Sequence, residues 1–441
     1  MLSTPIIRGL GLAAIVLSRW ASAVPVYDDL IQLRAATDDH WVDTWTSMPQ
    51  LVESSNMPPS PFVRPALLPC CPTHFSSSGG VFKDATLRQT LHMSIGAERL
   101  RIQISNTFGG SDLPITAASI ALPTGGKAGV GGIDTATLKQ LTFKSGAEGV
   151  TIPRGQVVYT DPVDFKVDPQ SMITVTLYFQ AGQSGSSITG HPGSRTTSFM
   201  QSGNHVNASS VSGASTKHWY FVSGVEASAP ANSSAFVILG DSITDGRGST
   251  DDANNRWPDL LLARMQNSGL TNIGVNNQAA GGNCVLNGGL GPTLMSRYKR
   301  DAITQQGAKY VMIFEGVNDI GGGGTDSGTQ SNIGNQLISA FKTIAADCKA
   351  AGIKVFGATI TPFGGSGQSY SNPTREQTRQ KVNDWILTSG TFDGVIDFAK
   401  MVGDANTKSQ LAKQYDGGDH LHPNVAGYQA MADGFPLDLF K

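Results

Sequence analysis

Charge is scarce in this chain of 441 residues: 32 Lys and Arg stand against 34 Asp and Glu, and together they are only 15% of the sequence. No long run of either sign occurs, so the dense basic face that a nucleic-acid partner requires is not there. Long apolar runs are also missing beyond the first two dozen residues. Nothing later approaches the eighteen or so consecutive apolar residues of a bilayer span, and no membrane anchor is expected. Cysteine is limited to Cys70, Cys71, Cys284 and Cys348. Four cysteines allow three pairings, and the adjacent pair makes an odd framework, so no bridge is assigned. Metal-ligand clusters are lacking too: Asp419, His420 and His422 lie together, yet no further cluster has ligand spacing, and no metal is expected. Glycine, by contrast, is plentiful at 52 residues. It has no period of three, which excludes a collagen-like repeat and points to many tight turns.

What is present has the apolar share of a folded protein, 39%, and a length suited to two domains or one large one. Arg8, the apolar stretch 10–17 and the small-residue run Ala21-Ser22-Ala23 read together as a signal peptide over residues 1–23. A secreted, extracellular protein is therefore expected, with N-glycan acceptor patterns at Asn207 and Asn232.

From about residue 81 to 225 apolar and polar residues alternate with period two. Leu100, Ile102 and Ile104 alternate with Arg101, Gln103 and Ser105; Ile173, Val175, Leu177 and Phe179 alternate with Thr174, Thr176 and Tyr178. Turn clusters separate such runs, which predicts half-buried strands of an all-β, sandwich-like domain over residues 24–230. The aromatic run Trp219, Tyr220, Phe221 is expected to be mostly core, although three such rings could line a sugar-binding face. Residues 63–78, rich in Pro and Cys, fit neither rhythm and read as a surface loop. Residues 226–234 read as a linker.

After the linker the rhythm changes to strand, helix, strand. Strands are expected at 236–240, 272–275, 310–314, 353–359 and 395–398. Helices are expected to open at Trp257-Pro258 and to span 293–306, 332–351, 374–387 and 424–433. Five short apolar strands joined by helical crossovers mean a parallel sheet covered on both faces, a second domain over residues 235–441. Such sheets bind ligands at the carboxyl ends of their strands.

Those ends carry the informative residues. Gly240-Asp241-Ser242 puts a serine on a sharp strand-to-helix turn. Gly281 and Gly282 follow the second strand, where a bare backbone N–H could approach a substrate oxygen; adjacent glycines leave open which of the two does so. Asn318 follows the third strand and offers a side-chain amide to the same oxygen. Asp419 and His422 precede the last helix, three residues apart. A serine hydroxyl becomes a good nucleophile when an imidazole takes its proton, and the imidazole works best when a carboxylate fixes its tautomer. Each residue also has a plainer reading: Ser242 or Asp419 as a helix cap, Gly281 and Gly282 as a tight turn, Asn318 as a turn residue. Gly321 to Gly324 read most simply as a flexible loop.

With these blocks in place, the sequence resembles the SGNH hydrolases, the GDSL esterase and lipase family. GDSITDG carries the first block, Gly282 the second, Asn318 the third, and Asp419 with His422 the last, so the resemblance covers about residues 235–441. It implies a flavodoxin-like three-layer α/β/α fold with a parallel sheet, no cofactor, and ester hydrolysis through an acyl-enzyme. In that implication Ser242 is the nucleophile, His422 the base and Asp419 its partner. The amides of Ser242 and Gly282 and the side chain of Asn318 form the oxyanion hole. TLRQTLHMSIG, LRIQISNTFG and WYFVSGVE resemble the β-domain of a secreted two-domain subgroup; the segment around Cys70 and Cys71 does not. The expected function is a secreted serine esterase acting on small-molecule or polysaccharide esters with short acyl or acetyl groups. A lipase for longer acyl chains and a non-catalytic carbohydrate- or wall-binding protein on the same scaffold are the alternatives.

Overall fold

The structure, a computed structural model, describes residues 40–64 and 80–441. The signal segment 1–23, Cys70, Cys71 and most of the segment read as a surface loop lie outside the described residues. That segment's first two residues are not loop: Val63–Arg64 pairs with Gly80–Val81 in a small antiparallel sheet.

The β-rich part holds two larger antiparallel sheets. In one, Trp41–Thr46, Val222–Ser228, Ala97–Ser105 and Val157–Tyr159 lie side by side, and Val163–Val167 also pairs with Ala97–Ser105. In the other the order is Ala214–Thr216, Ser198–Ser202, Ala85–His92, Met172–Phe179, Ala117–Pro123, Ile133–Leu141. The alternation was expected to bury one face. Met172–Phe179 is instead buried on both, its polar face included. The reason is Arg88, fully buried beside it, which donates to Thr176 Oγ1 at 3.0 Å and to the carbonyls of Gly131 and Ala208 at 2.9 Å. A guanidinium so satisfied holds two loops over the polar face and closes it to water. Trp219, Tyr220 and Phe221 are all buried, which removes them as a sugar-binding face. The linker is shorter than expected, because Glu226 belongs to a strand and pairs with Arg101 at 2.5 Å, both side chains being nearly closed to solvent.

The second part is built on five parallel strands in the order Ile273–Ala279, Ser234–Gly240, Ala308–Phe314, Lys354–Ala358, Gly394–Ile396. Numbered along the chain this is 2-1-3-4-5, the flavodoxin-like order. Right-handed crossovers that run in opposite directions from the first strand place helices on opposite faces of the sheet. Accordingly Trp257–Asn267 packs with Val425–Gly434, and Ser327–Ala350 with Pro373–Thr388. The central strand Ser234–Gly240 is buried throughout, as a run of apolar residues with helices on either side must be. Trp257, fully buried, stacks at its edge on Phe398 with centroids 5.1 Å apart and donates from Nε1 to Thr244 Oγ1 at 3.2 Å.

The two parts pack into one compact unit, Asp39–Lys441. Asn276, fully buried on the second strand, donates to the Asp43 carbonyl at 2.9 Å, the Asp43 carboxylate accepts from the Gln306 amide at 2.7 Å, and Ser94 Oγ donates to the Val275 carbonyl at 2.8 Å. The reversal of strand order falls between Ser234–Gly240 and Ala308–Phe314. In such a sheet the crevice for ligands opens at this point, beyond the carboxyl ends of both strands.

Candidate active site

Ser242 begins the short helix Ser242–Asp245 directly after the central strand. The cap of that helix is Asp241, whose carboxylate accepts from the Ile243 amide at 3.0 Å, so the Ser242 hydroxyl has no capping role. It lies instead 2.8 Å from His422 Nε2. His422 Nδ1 lies 2.7 Å from Asp419 Oδ2, and Asp419 Oδ1 accepts from the amides of Leu421 and His422 at 3.1 and 2.9 Å. The loop thus orients the carboxylate, and the carboxylate orients the ring. The last helix, Val425–Gly434, is capped by Asn424 and makes no demand on Asp419.

Burial of His422 is the main influence on its basicity and moves its pKa below the ordinary imidazole value; Asp419 opposes this, and the cations of Arg247 and Arg195 reinforce it. For Asp419, burial pushes upward, but the bonds from His422 and Leu421 outweigh it and hold the carboxyl below its usual range. The neutral ring and the ionised carboxylate are therefore the forms present at neutral pH.

The glycine block and Asn318 face the same hydroxyl. Gly281, Gly282, Asn318, Ser242 and His422 line one cleft of about 440 Å³. Gly282 has φ of +68°, a left-handed conformation that only glycine adopts without strain. The amides of Ser242, Gly281 and Gly282 have no backbone acceptor among the described residues. Asn318 Nδ2 donates to the Asn283 carbonyl at 2.8 Å, and Tyr370 donates from its hydroxyl to Asn318 Oδ1 at 3.1 Å. Since the hydroxyl proton can only go to the amide oxygen, Tyr370 fixes which way Asn318 is turned.

Several residues that hold this geometry carried no visible signal in the sequence. Tyr370 lies in an aperiodic loop, 52 residues from its partner. Asp319 accepts from the amides of Val285 and Leu286, both at 2.9 Å, and so pins the glycine loop; its place beside Asn318 was the one available hint. Burial pushes its carboxyl up to about 6 even against those two bonds. Arg297, fully buried, donates to Asn283 Oδ1 at 3.0 Å and to the carbonyls of Gln278 and Gly240 at 2.6 and 3.1 Å, tying together the ends of two strands and the loop. It also pairs with Asp301 and Glu315, each at 3.2 Å.

His420 bonds to Asp416 through Nδ1 at 2.5 Å and does not join Asp419 and His422; among the described residues no group of His, Cys, Asp and Glu could hold a metal. One expectation changes. The four-glycine run is not a plain flexible loop. Gly321 and Gly322 end the helix Val317–Gly322, and a Cβ on Gly321 would lie 2.1 Å from the Tyr370 ring. Cys284 and Cys348 are buried free thiols, each pushed up to about 12 by burial first and nearby carboxylates second.

A parallel sheet of this order with a serine at its switch point defines a flavodoxin-like α/β/α fold of the SGNH-hydrolase kind. Residues 238–430 match the sequence model of the GDSL-like lipase/acylhydrolase family, so this part of the chain is a domain of that family. Among solved structures the chain is similar to the lipase/acylhydrolase from Enterococcus faecalis, with 21% identity over 47% of this chain and 94% of that one and a TM-score of 0.35. It is similar to an acetyl xylan esterase from Geobacillus stearothermophilus, with 20% identity over 47% and 94% and a TM-score of 0.36. A GDSL-like lipase from Bacteroides thetaiotaomicron shares 17% identity over 47% and 87%, with a TM-score of 0.34. No curated protein matches the chain.

Proposed function

We propose that this acylhydrolase is a secreted serine esterase that hydrolyses carboxylic esters of short acyl groups, acetyl esters among them, without a cofactor. The observation that carries the reading is the unbroken chain of contacts from Ser242 Oγ to His422 Nε2, 2.8 Å, and from His422 Nδ1 to Asp419 Oδ2, 2.7 Å, at the floor of an open cleft. His422 Nε2 takes the hydroxyl proton as Ser242 Oγ attacks the ester carbon. The charge that develops on the carbonyl oxygen is met by the Ser242 amide, the Gly282 amide and Asn318 Nδ2; each such donor typically contributes about 3 kcal/mol in the transition state. The intermediate collapses, and the proton on Nε2 passes to the leaving alcohol. Water then repeats the two steps and frees the acid and Ser242. We take the Gly282 amide as the oxyanion donor; its left-handed backbone requires glycine there, and the Gly281 amide beside it is the alternative donor.

Polar groups surround the hydroxyl: Glu53, Asn56, Arg195, Arg247 and His218 line the cleft, and this favours small polar esters over long acyl chains. Asn207 and Asn232, the two N-glycan acceptors, are both exposed, which accords with passage through a secretory route. The test is hydrolysis of p-nitrophenyl esters from acetate to palmitate. Activity is expected to be highest on the shortest chains and to fall by about 10⁴- to 10⁶-fold in Ser242→Ala. Rates that climb with chain length would favour the lipase, and an undiminished Ser242→Ala would remove Ser242 from the mechanism.

A further inference from the structure

A site of this kind works only while its parts keep their spacing, since a misplacement of about 1 Å can cost a hundredfold in rate. Here the parts stand on separate elements. The helix of Ser242 is held from the side by segment 191–195: His191 Nε2 lies 2.9 Å from Asp245 Oδ1, and a Cβ on Gly193 would lie 1.7 Å from Asp245 Oδ2. Asn318 belongs to a different helix, Val317–Gly322, while Asp419 and His422 lie in a loop much further along the chain.

The segment 363–372 touches both of these. On one side Gln368 donates from Nε2 to the Asp419 carbonyl at 2.5 Å, and a Cβ on Gly365 would lie 2.3 Å from the His420 ring. On the other side Tyr370 donates from its hydroxyl to Asn318 Oδ1 at 3.1 Å, with its ring against Gly321 of the same helix. Gln368 joins the two contacts, because its Oε1 accepts from the Tyr370 amide at 3.1 Å. Arg375 fastens the segment just beyond the end of that helix, donating to the Ser369 carbonyl at 2.8 Å and to the Gly323 carbonyl at 2.6 Å. A line of contacts therefore runs from the backbone of Asp419 through Gln368 and Tyr370 to the side chain of Asn318.

The Asn318 amide needs that line. Of the two protons on Nδ2, one goes to the Asn283 carbonyl at 2.8 Å, which leaves the other for the cleft. Asn318 is buried, and among the described residues the donor to its Oδ1 is Tyr370. Without that hydroxyl, Oδ1 is a buried acceptor with no donor, a cost relieved by turning the amide towards water in the cleft. The same turn carries Nδ2 away from the reacting oxygen. A bond accepted at Oδ1 also polarises the amide and strengthens its N–H as a donor. The Tyr370 hydroxyl keeps its proton for this role, since burial first and nearby acidic groups second hold its pKa above the ordinary phenol value.

We infer that Tyr370 is a positioning residue of the reaction: its hydroxyl holds the Asn318 amide where charge develops on the carbonyl oxygen, and Gln368 ties it to the loop of Asp419 and His422. The inference rests on the serine-esterase reading above. Tyr370 moves no proton in the reaction, and its effect passes through Asn318.

The experiment is a double-mutant cycle of Tyr370→Phe and Asn318→Ala, read as kcat and KM for p-nitrophenyl acetate, with the melting temperature of each protein measured alongside. Asn318→Ala is expected to lower kcat by about a hundredfold or more, as for loss of one oxyanion donor. Tyr370→Phe keeps the ring against Gly321 and is expected to lower kcat by about tenfold, the upper end for a neutral hydrogen bond. KM should change little, because the donor acts on the transition state. In the Asn318→Ala background the same substitution should change kcat by less than about twofold, since the hydroxyl has lost its acceptor. An equal loss in both backgrounds overturns the proposal, because Tyr370 would then act on the substrate or the fold and not through Asn318. So does a Tyr370→Phe or an Asn318→Ala protein as fast as wild type. Gly321→Ala reaches the contact from the other side: it keeps the hydroxyl, displaces the ring, and should lower kcat in wild type but not in Asn318→Ala. Ser242→Ala tests the underlying reading separately: if it hydrolyses p-nitrophenyl acetate as fast as wild type, the serine-esterase reading fails, whatever the cycle shows.

Discussion

His422 shows how one side chain sums its surroundings. Burial and the cations of Arg247 and Arg195 disfavour the imidazolium, Asp419 favours it, and the balance lies below the ordinary value. Only the neutral ring can accept the Ser242 proton, so kcat/KM should rise with pH along an acid limb and be level through neutrality. Because the pKa is lowered, the midpoint of that limb is expected below about 6.5, the unperturbed imidazole value. Arg247→Ala removes one of the depressing cations and should move the midpoint upward, most clearly at low ionic strength because Arg247 is largely exposed. A pH–rate profile of both proteins checks this; a wild-type midpoint above 6.5, or a downward move in the variant, would contradict the electrostatic account. At this scale the candidate residues were legible: Ser242, Asp419, His422 and Asn318, which line one cleft or bond to its residues, could be named because few side chains have the chemistry of the proposed reaction. Tyr370 could not, since its role is a single bond across 52 residues, to which no local pattern corresponds.

Among elements, the five strands and the long helices were readable because apolar runs and helical periodicity are local properties. The helix expected over 293–306 is instead Leu294–Tyr298 followed by a wider, π-type turn at Lys299–Ile303. That turn brings Asp301 beneath Arg297, where the fully buried guanidinium meets Asp301 and Glu315 and gathers the strand ends. Glu315 is raised to about 8, by burial first and against the pull of Arg297, so it can take up a proton when unpaired. Asp301 keeps its two bonds from Arg300, at 2.5 and 2.9 Å, so in Arg297→Met the loss falls on Glu315, on the carbonyls of Gln278 and Gly240 and on Asn283 Oδ1, which lose their buried donor. The substitution is expected to destabilise the protein by about 3 kcal/mol, the low end for breaking a buried pair. Urea unfolding at neutral pH measures it. A change below about 0.5 kcal/mol, as for an ordinary surface substitution, would show that the network carries no stability. The run Gly321 to Gly324 misleads from sequence for a related reason: glycine permits flexibility, but here it also permits the Tyr370 ring to lie against the backbone.

At the scale of the whole molecule, the β-rich part and the family domain share buried polar contacts that neither completes alone. Asn276, Val275 and Gln306 each give or take a hydrogen bond from residues 43 or 94, and Asp245 is paired by His191. Residues 235–441 expressed alone would leave Asn276 without its Asp43 acceptor, Asp245 without His191 and the cleft without a wall. That fragment is expected to unfold well below the melting temperature of the full chain and, on the proposed function, to hydrolyse p-nitrophenyl acetate much more slowly. Thermal unfolding followed by circular dichroism, with p-nitrophenyl acetate assays on the same samples, decides it; a fragment as stable and as active as the full chain would make the β-rich part dispensable.

By itself the sequence determined the order of strands and helices, the family of the second part, and which few side chains are the candidates for its chemistry. These follow from periodicity and from residue type, both written within a few positions. Tertiary structure alone decided that segment 191–195 lies against the helix of Ser242, that Tyr370 turns Asn318, that Arg297 gathers the strand ends, and that the polar face of Met172–Phe179 is closed. Each of these is a contact between residues far apart in the chain, chosen by how donors, acceptors and apolar surface can all be satisfied at once in a packed interior.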